Sequence, residues 1–223
     1  MESIKKVAYE LIEDTAILSF DDGKANVIGH DFMDAMNQDL DQAEKEATAV
    51  VITGRTGLLS GGFDLKEIQK GPAAVKAMMN KGAKMFFRMF SYPQPLIIAC
   101  SGHAIAAGAF LLLTADSRIG SAGDFKIGLN ETSIGSTFPV FGIELAKARL
   151  NPNYLTRSFL QSELFSPQEA VNAGFLDQVV AAESALDTAM VLAARLGKLP
   201  PSIYARNKLD IRKSTIQTIG ASL

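Results

Sequence analysis

Two small-residue turns and one carboxylate are the groups in this chain best placed to do chemistry together. The turns are Leu59-Ser60-Gly61-Gly62-Phe63-Asp64 and Gly102-His103-Ala104-Ile105-Ala106-Ala107-Gly108. Each follows an apolar run that reads as a buried strand, residues 49–53 before the first and 96–100 before the second. Each leads into a segment that reads as helix. Strand, glycine-rich turn and helix start leave backbone N–H groups unpaired and aimed outward. Two such turns facing one another can hold a single oxygen anion. The carboxylate is Glu131, within Ile127-Gly128-Leu129-Asn130-Glu131-Thr132-Ser133-Ile134-Gly135. It follows a short strand inside a stretch bounded by two glycines, where loops gather.

Composition narrows the partners. The chain has 223 residues, 48% of them hydrophobic, enough for one large domain or a domain with a small appendage. Its 22 basic and 24 acidic residues are mixed and leave a net charge of −2, with no basic stripe, so no nucleic-acid partner is expected. The single cysteine, Cys100, sits in an apolar run and reads as a buried small hydrophobe. One cysteine and two distant histidines, His30 and His103, argue against a metal site. Residues 1–6 carry no apolar core of signal-peptide length, and the longest apolar stretch, residues 104–113, is too short to cross a bilayer. A cytoplasmic location without membrane attachment is expected.

The elements that must position these groups follow an α/β order. Residues 7–12 and 16–20 read as a strand pair, and Phe32, Met33, Met36, Leu40 and Ala43 recur at helical spacing before the strand at 49–53. Residues 72–90 form a second helix, ended by Tyr92-Pro93-Gln94-Pro95. Residues 108–114 are apolar all round and read as a buried helix. Short strands follow at 116–121 and 125–129. From about Val140 the pattern reads as helix after helix. Ser166-Pro167-Gln168-Glu169 is a helix start with a capping box, and Gly174 stops that helix. A soft boundary near 150 divides a core, 1–150, from a helical C-terminal region, 151–223.

Together these motifs resemble the crotonase, or enoyl-CoA hydratase/isomerase, superfamily. The resemblance runs from about Val7 to Val180. It rests on Ser60-Gly61-Gly62-Phe63-Asp64-Leu65-Lys66, on residues 102–116 and 125–135, and on the helix–turn–strand at 166–180. It implies a spiral of ββα turns followed by a helical trimerisation region, hence a homotrimer or hexamer. It also implies an acyl-CoA thioester substrate, with coenzyme A entering as part of that substrate and no separate cofactor. By motif position, the thioester oxygen would be held by the backbone N–H groups of Phe63 and Ala107. Lys24, Ala25, Ser60, Gly61, Gly62, Asp64, Leu65, Gly108 and Phe110 would bind substrate. Backbone donors ask only that side chains stay out of the way, which suits Gly61, Gly62, Ala106, Ala107 and Gly108.

The chain departs from the family's hydratases at one position. Those enzymes hold a water between two glutamates; here the first position is Phe110 and the second is Glu131. Phe110 can neither activate a water nor leave room for it. A 1,3-proton shift needs only one base, and Gly128-Leu129-Asn130-Glu131 is similar to the Δ3-Δ2-enoyl-CoA isomerases, which also carry an apolar residue at the first position. The resemblance therefore implies an isomerase with Glu131 as its acid and base, its pKa raised by an apolar pocket. A hydratase or dehydratase of an unusual acyl group and a non-catalytic acyl-CoA-binding subunit are the alternatives.

Plainer roles stand beside these. Glu131 could cap a helix or lie on the surface, and Phe110 could be core packing alone. His103 reads as a satisfied structural histidine. Asp64 reads as a backbone-orienting carboxylate rather than a second acid. The Met78, Met79, Met85, Met89 stripe reads as core, with an acyl tunnel as the alternative. Lys24 and Lys66 suit either a phosphate or solvent.

Overall fold

The structure is a computed structural model that describes residues 7–223; the N-terminal residues 1–6 lie outside the described residues. The chain runs β1 (Ala8–Ile12), β2 (Thr15–Ser19), α1 (His30–Glu46), β3 (Ala49–Thr53), β4 (Gly57–Ser60), α2 (Leu65–Gln69) and α3 (Pro72–Phe90). It continues with β5 (Leu96–Cys100), β6 (Gly102–Ile105), α4 (Ala107–Thr114), β7 (Ser117–Ser121), β8 (Ile127–Gly128), α5 (Val140–Arg149) and α6 (Leu155–Phe159). The last part comprises β9 (Leu164–Phe165), α7 (Pro167–Ala173), β10 (Gln178–Val180), α8 (Ala185–Leu196), α9 (Pro201–Ile211) and α10 (Lys213–Gly220).

Among the described residues, ten strands form two sheets, ordered β1-β2-β3-β5-β7-β10 and β4-β6-β8-β9. In the first, β2, β3, β5, β7 and β10 are parallel, and β1 closes one edge antiparallel to β2. The central strands Ala49-Val50-Val51-Ile52-Thr53 and Leu96-Ile97-Ile98-Ala99-Cys100 are buried along their whole length, as parallel strands covered on both faces must be. Alternation divides their side chains between two cores. Val50, Ile52, Leu96, Ile98 and Cys100 join the large core with α1, α3 and α4. Ala49, Val51, Ile97 and Ala99 meet Ala185, Ala189 and Ala193, which recur every fourth residue along one face of α8. Cys100 is buried and free, and burial pushes its thiol up to about 12, so it behaves as a small hydrophobe.

The second sheet changes how the two turns are read. Residues 57–60 and 102–105 are parallel strands, β4 and β6, paired from Gly57 opposite Gly102 to Ser60 opposite Ala104. The turn chemistry is thus confined to 61–64 and 106–107. These strands are only four residues long, Gly-Leu-Leu-Ser and Gly-His-Ala-Ile, too short for an apolar alternation to betray them.

The stretch beyond 150 is not purely helical: β9 pairs with β8 and β10 with β7, one strand to each sheet. The expected capping box at Ser166 and Glu169 forms, and Gly174 ends α7 in the left-handed conformation, φ +93°. The C-terminal helices are held by Asp116. Its Oδ1 meets the Arg212 guanidinium at 2.8 Å, and its Oδ2 meets Lys208 Nζ at 2.6 Å. Oδ2 also accepts from the Leu96 N–H and the Tyr204 hydroxyl, both at 2.9 Å. Among the described residues, no helix is long and apolar enough to cross a membrane.

Candidate active site

The two turns meet. Gly62 has φ +107°, and a Cβ there would lie 3.1 Å from the Ala106 Cβ and 3.5 Å from the Ala107 nitrogen. Gly108 approaches still more closely, since its Cβ would stand 2.3 Å from the Ser60 carbonyl oxygen. Ser60 fixes the first turn from below: its hydroxyl donates to the Asn26 carbonyl at 2.7 Å and accepts from the Gly62 N–H at 3.1 Å. Asn26 in turn donates from Nδ2 to the carbonyls of Phe20, Leu58 and Leu59.

This arrangement leaves two donors free. Ile28 pairs in parallel with Phe63, taking Gly62 O on one side and giving its own carbonyl to the Asp64 N–H on the other. The Phe63 N–H therefore points away from that pair. Ala107 is the first residue of α4, preceded by Ala106 at φ +53°, ψ −120°, a conformation that non-glycine residues avoid. Ala106 accepts in α4 from Ala109 and Phe110, whereas the Ala107 N–H has no intrahelical acceptor. Among the described residues neither N–H meets a protein acceptor.

Beside these donors lies a cavity of about 330 Å³. Gly61, Phe63, Leu65, Phe110 and Glu131, all expected substrate-site or catalytic residues, line it. Ile68, Val75, Met79, Ala106, Asn130, Ile134, Ser136, Thr137 and Pro139 complete the wall. Ser60, Gly62, Ala107 and Gly108, also expected at the site, are not among the residues of the wall. Lys24 and Ala25 lie outside the wall; Ala25 gives its carbonyl to the Gly61 N–H at 2.9 Å, and the Lys24 carbonyl accepts from Arg55.

Glu131 is 8% exposed and is the one carboxylate among the described residues lining the cavity. It sits at the start of a 3-10 turn, Thr132–Ile134, but its side chain makes no cap bond, so the capping role does not apply. Its Oε2 is buried without a hydrogen-bond partner. Burial pushes its pKa up to about 7, against the opposing pull of its own backbone N–H and that of Asn130. Such a group can carry or release a proton near neutrality.

Phe110 is 1% exposed and packs edge-on against Phe138 and Phe141, with ring centroids 6.4 and 5.6 Å away. It is both core and cavity wall. Asp64 caps α2, its Oδ1 accepting from the Lys66 N–H at 2.9 Å, which is the backbone-orienting role. His103 Nδ1 accepts from the Lys126 N–H at 2.9 Å and is structural. Within the methionine stripe, Met78, Met85 and Met89 are fully buried in the core, while Met79 alone reaches the cavity.

Sequence reasoning missed Gly82 and Gly142, on which the Phe63 and Phe110 rings rest. An isolated glycine inside an otherwise helical pattern was the available signal.

A fold of stacked parallel strands, with two backbone N–H groups that meet no protein acceptor and a nearby cavity that holds one buried carboxylate, is an arrangement able to hold an oxygen anion and to move a proton. The family model "Enoyl-CoA hydratase/isomerase" matches residues 13–219, and the chain belongs to that family. A solved enoyl-CoA hydratase/isomerase family protein from Pseudomonas syringae is 45% identical, with a TM-score of 0.95 over 97% of this chain and 94% of that one. Human mitochondrial enoyl-CoA delta isomerase 1 is 27% identical over 205 residues, 90% of this chain and 68% of that protein. A probable enoyl-CoA hydratase of Bacillus subtilis is 28% identical over 200 residues, 85% of this chain and 75% of that protein.

Proposed function

We propose that the protein is a Δ3-Δ2-enoyl-CoA isomerase with Glu131 as its single acid–base group. The observation that carries this reading is a cavity with one buried carboxylate, titrating near 7, and an aromatic ring in its wall. A 3-enoyl-CoA thioester would place its carbonyl oxygen between the Phe63 and Ala107 N–H groups. Ionised Glu131 then removes a proton from C2. The C2–H electron pair forms a C1–C2 double bond and negative charge collects on the thioester oxygen, delocalised through the existing C3–C4 double bond. The two N–H groups stabilise that charge; losing one such donor typically costs about 3–4 kcal/mol. Protonated Glu131 returns its proton to C4, leaving a C2–C3 double bond. No water enters or leaves, and the carboxylate ends as it began.

Hydration makes a different demand. It needs a base to activate a water and an acid to protonate carbon. The cavity wall offers Glu131 and no second carboxylate or histidine among the described residues. The likeness to a hydratase keeps that reaction as the second reading.

The test is proton exchange at the α-carbon of a panel of acyl-CoA esters in heavy water, for the wild type and Glu131→Gln. Exchange by the wild type and its loss in Glu131→Gln support the reading. Equal exchange in the two would remove Glu131 from the reaction.

A further inference from the structure

The rings of Phe63 and Phe110 each lie against a helix position that has no side chain. A Cβ on Gly142 of α5 would stand 2.7 Å from Cζ of Phe110 and 3.0 Å from Cε1. One on Gly82 of α3 would stand 2.9 Å from Cε1 of Phe63 and 3.0 Å from Cζ. Carbon atoms pack best at about 3.5–4.0 Å, so either methyl group would displace the ring. The rings are also flanked by others: Phe110 meets Phe138 and Phe141, and Phe63 meets Phe86 at a centroid distance of 6.3 Å. A close-packed interior offers a displaced ring little space. Phe63 and Phe110 both border the cavity, which is open space beside them. Glycine within a helix is otherwise unfavourable relative to alanine, so helix formation does not explain either residue.

We propose that Gly142 and Gly82 are specificity-determining positions: each is a notch that holds an aromatic ring back from the cavity and so sets how long an acyl chain it admits. This rests on the acyl-CoA reading above, but not on the isomerisation step. Gly142 acts through Phe110 and Gly82 through Phe63, so neither is a catalytic residue.

The experiment is calorimetric binding of saturated acyl-CoA esters from butanoyl to dodecanoyl, which cannot isomerise. Gly142→Ala should leave butanoyl-CoA within twofold of the wild type and weaken the longer esters at least tenfold. Adding Phe110→Leu to Gly142→Ala should restore the longer esters, a rescue that a general loss of structure would not show. Gly82→Ala should give the same length-dependent loss, relieved by Phe63→Leu. Phe110→Leu alone, which needs no overpacked intermediate, should tighten the longest esters more than it tightens butanoyl-CoA. Weakening by one common factor across the panel, or no rescue by the leucine variants, would overturn the proposal. Failure of the isomerase reading alone leaves these binding profiles intact, so the two outcomes are distinguishable.

Discussion

The ring of Phe110 and the carboxylate of Glu131 border the same cavity, both almost wholly removed from solvent. Beside Glu131 the wall offers no second carboxylate or histidine among the described residues. Burial also makes ionisation of Glu131 costly, and a carboxylate costly to ionise is a stronger base.

Activity should follow the Glu131 proton. With its pKa near 7, the base form is scarce at pH 5.5 and dominant at pH 8.5. We expect kcat/KM for isomerisation to rise about tenfold per pH unit below 7 and to level off above it. Stopped-flow kinetics from pH 5 to 9 check this. A plateau reaching down to pH 5 would mean a base of ordinary acidity.

The same burial acts on stability with a definite sign. The folded pKa, about 7, lies above the ordinary glutamate value of 4.5. Between those values the unfolded chain has lost the proton that the folded chain keeps, so stability falls as pH rises from about 4.5 to 7. Above 7 the full cost remains, on the order of 3 kcal/mol for a shift of this size. Glu131→Gln should therefore melt several degrees higher than the wild type at pH 8 and at nearly the same temperature at pH 4. Thermal unfolding at the two pH values decides it.

The close approach of the two turns depends on the contact between Gly108 and Ser60. A Cβ on Gly108 would stand 2.3 Å from a backbone oxygen, which cannot swing aside as a side chain would. Gly108→Ala should push β4 from α4, cost about 1–3 kcal/mol of stability, and lower kcat about 100-fold or more through the misplaced donors. Denaturant titration and steady-state kinetics on the folded fraction separate the two effects.

Asp116 should matter to stability and not to chemistry. Removing its charge leaves Lys208 and Arg212 buried without their counter-ion. Asp116→Asn should lose about 3–5 kcal/mol, while the kcat of the remaining folded enzyme stays close to wild type. Loss of kcat at full folding would indicate that the C-terminal helices tune the cavity.

Much of this was legible in the sequence wherever one physical signal dominated. The central strands β3 and β5 and helix α3 have the bounds expected from their apolar runs and from Pro72. The Ser166 capping box is a local pattern and forms as such. Of the second sheet only β8 was legible, inside the strand expected at 125–129; β4, β6 and β9 are two to four residues long and are defined by pairing with distant partners. Helix α9 gives way to α10 at Arg212, whose guanidinium is drawn to Asp116. Within the site, Glu131 and the two turns could be named from residue types and family resemblance. The left-handed Ala106 could not, because alanine gives no hint of a conformation imposed by its surroundings.

The most direct measurement is incubation of 3-hexenoyl-CoA with the protein, followed by NMR, in parallel with 2-hexenoyl-CoA. The account predicts conversion of the first ester to 2-hexenoyl-CoA, its loss in Glu131→Gln, and at least 100-fold slower formation of 3-hydroxyhexanoyl-CoA from the second. Rapid accumulation of the 3-hydroxy product, or undiminished isomerisation by Glu131→Gln, would contradict it.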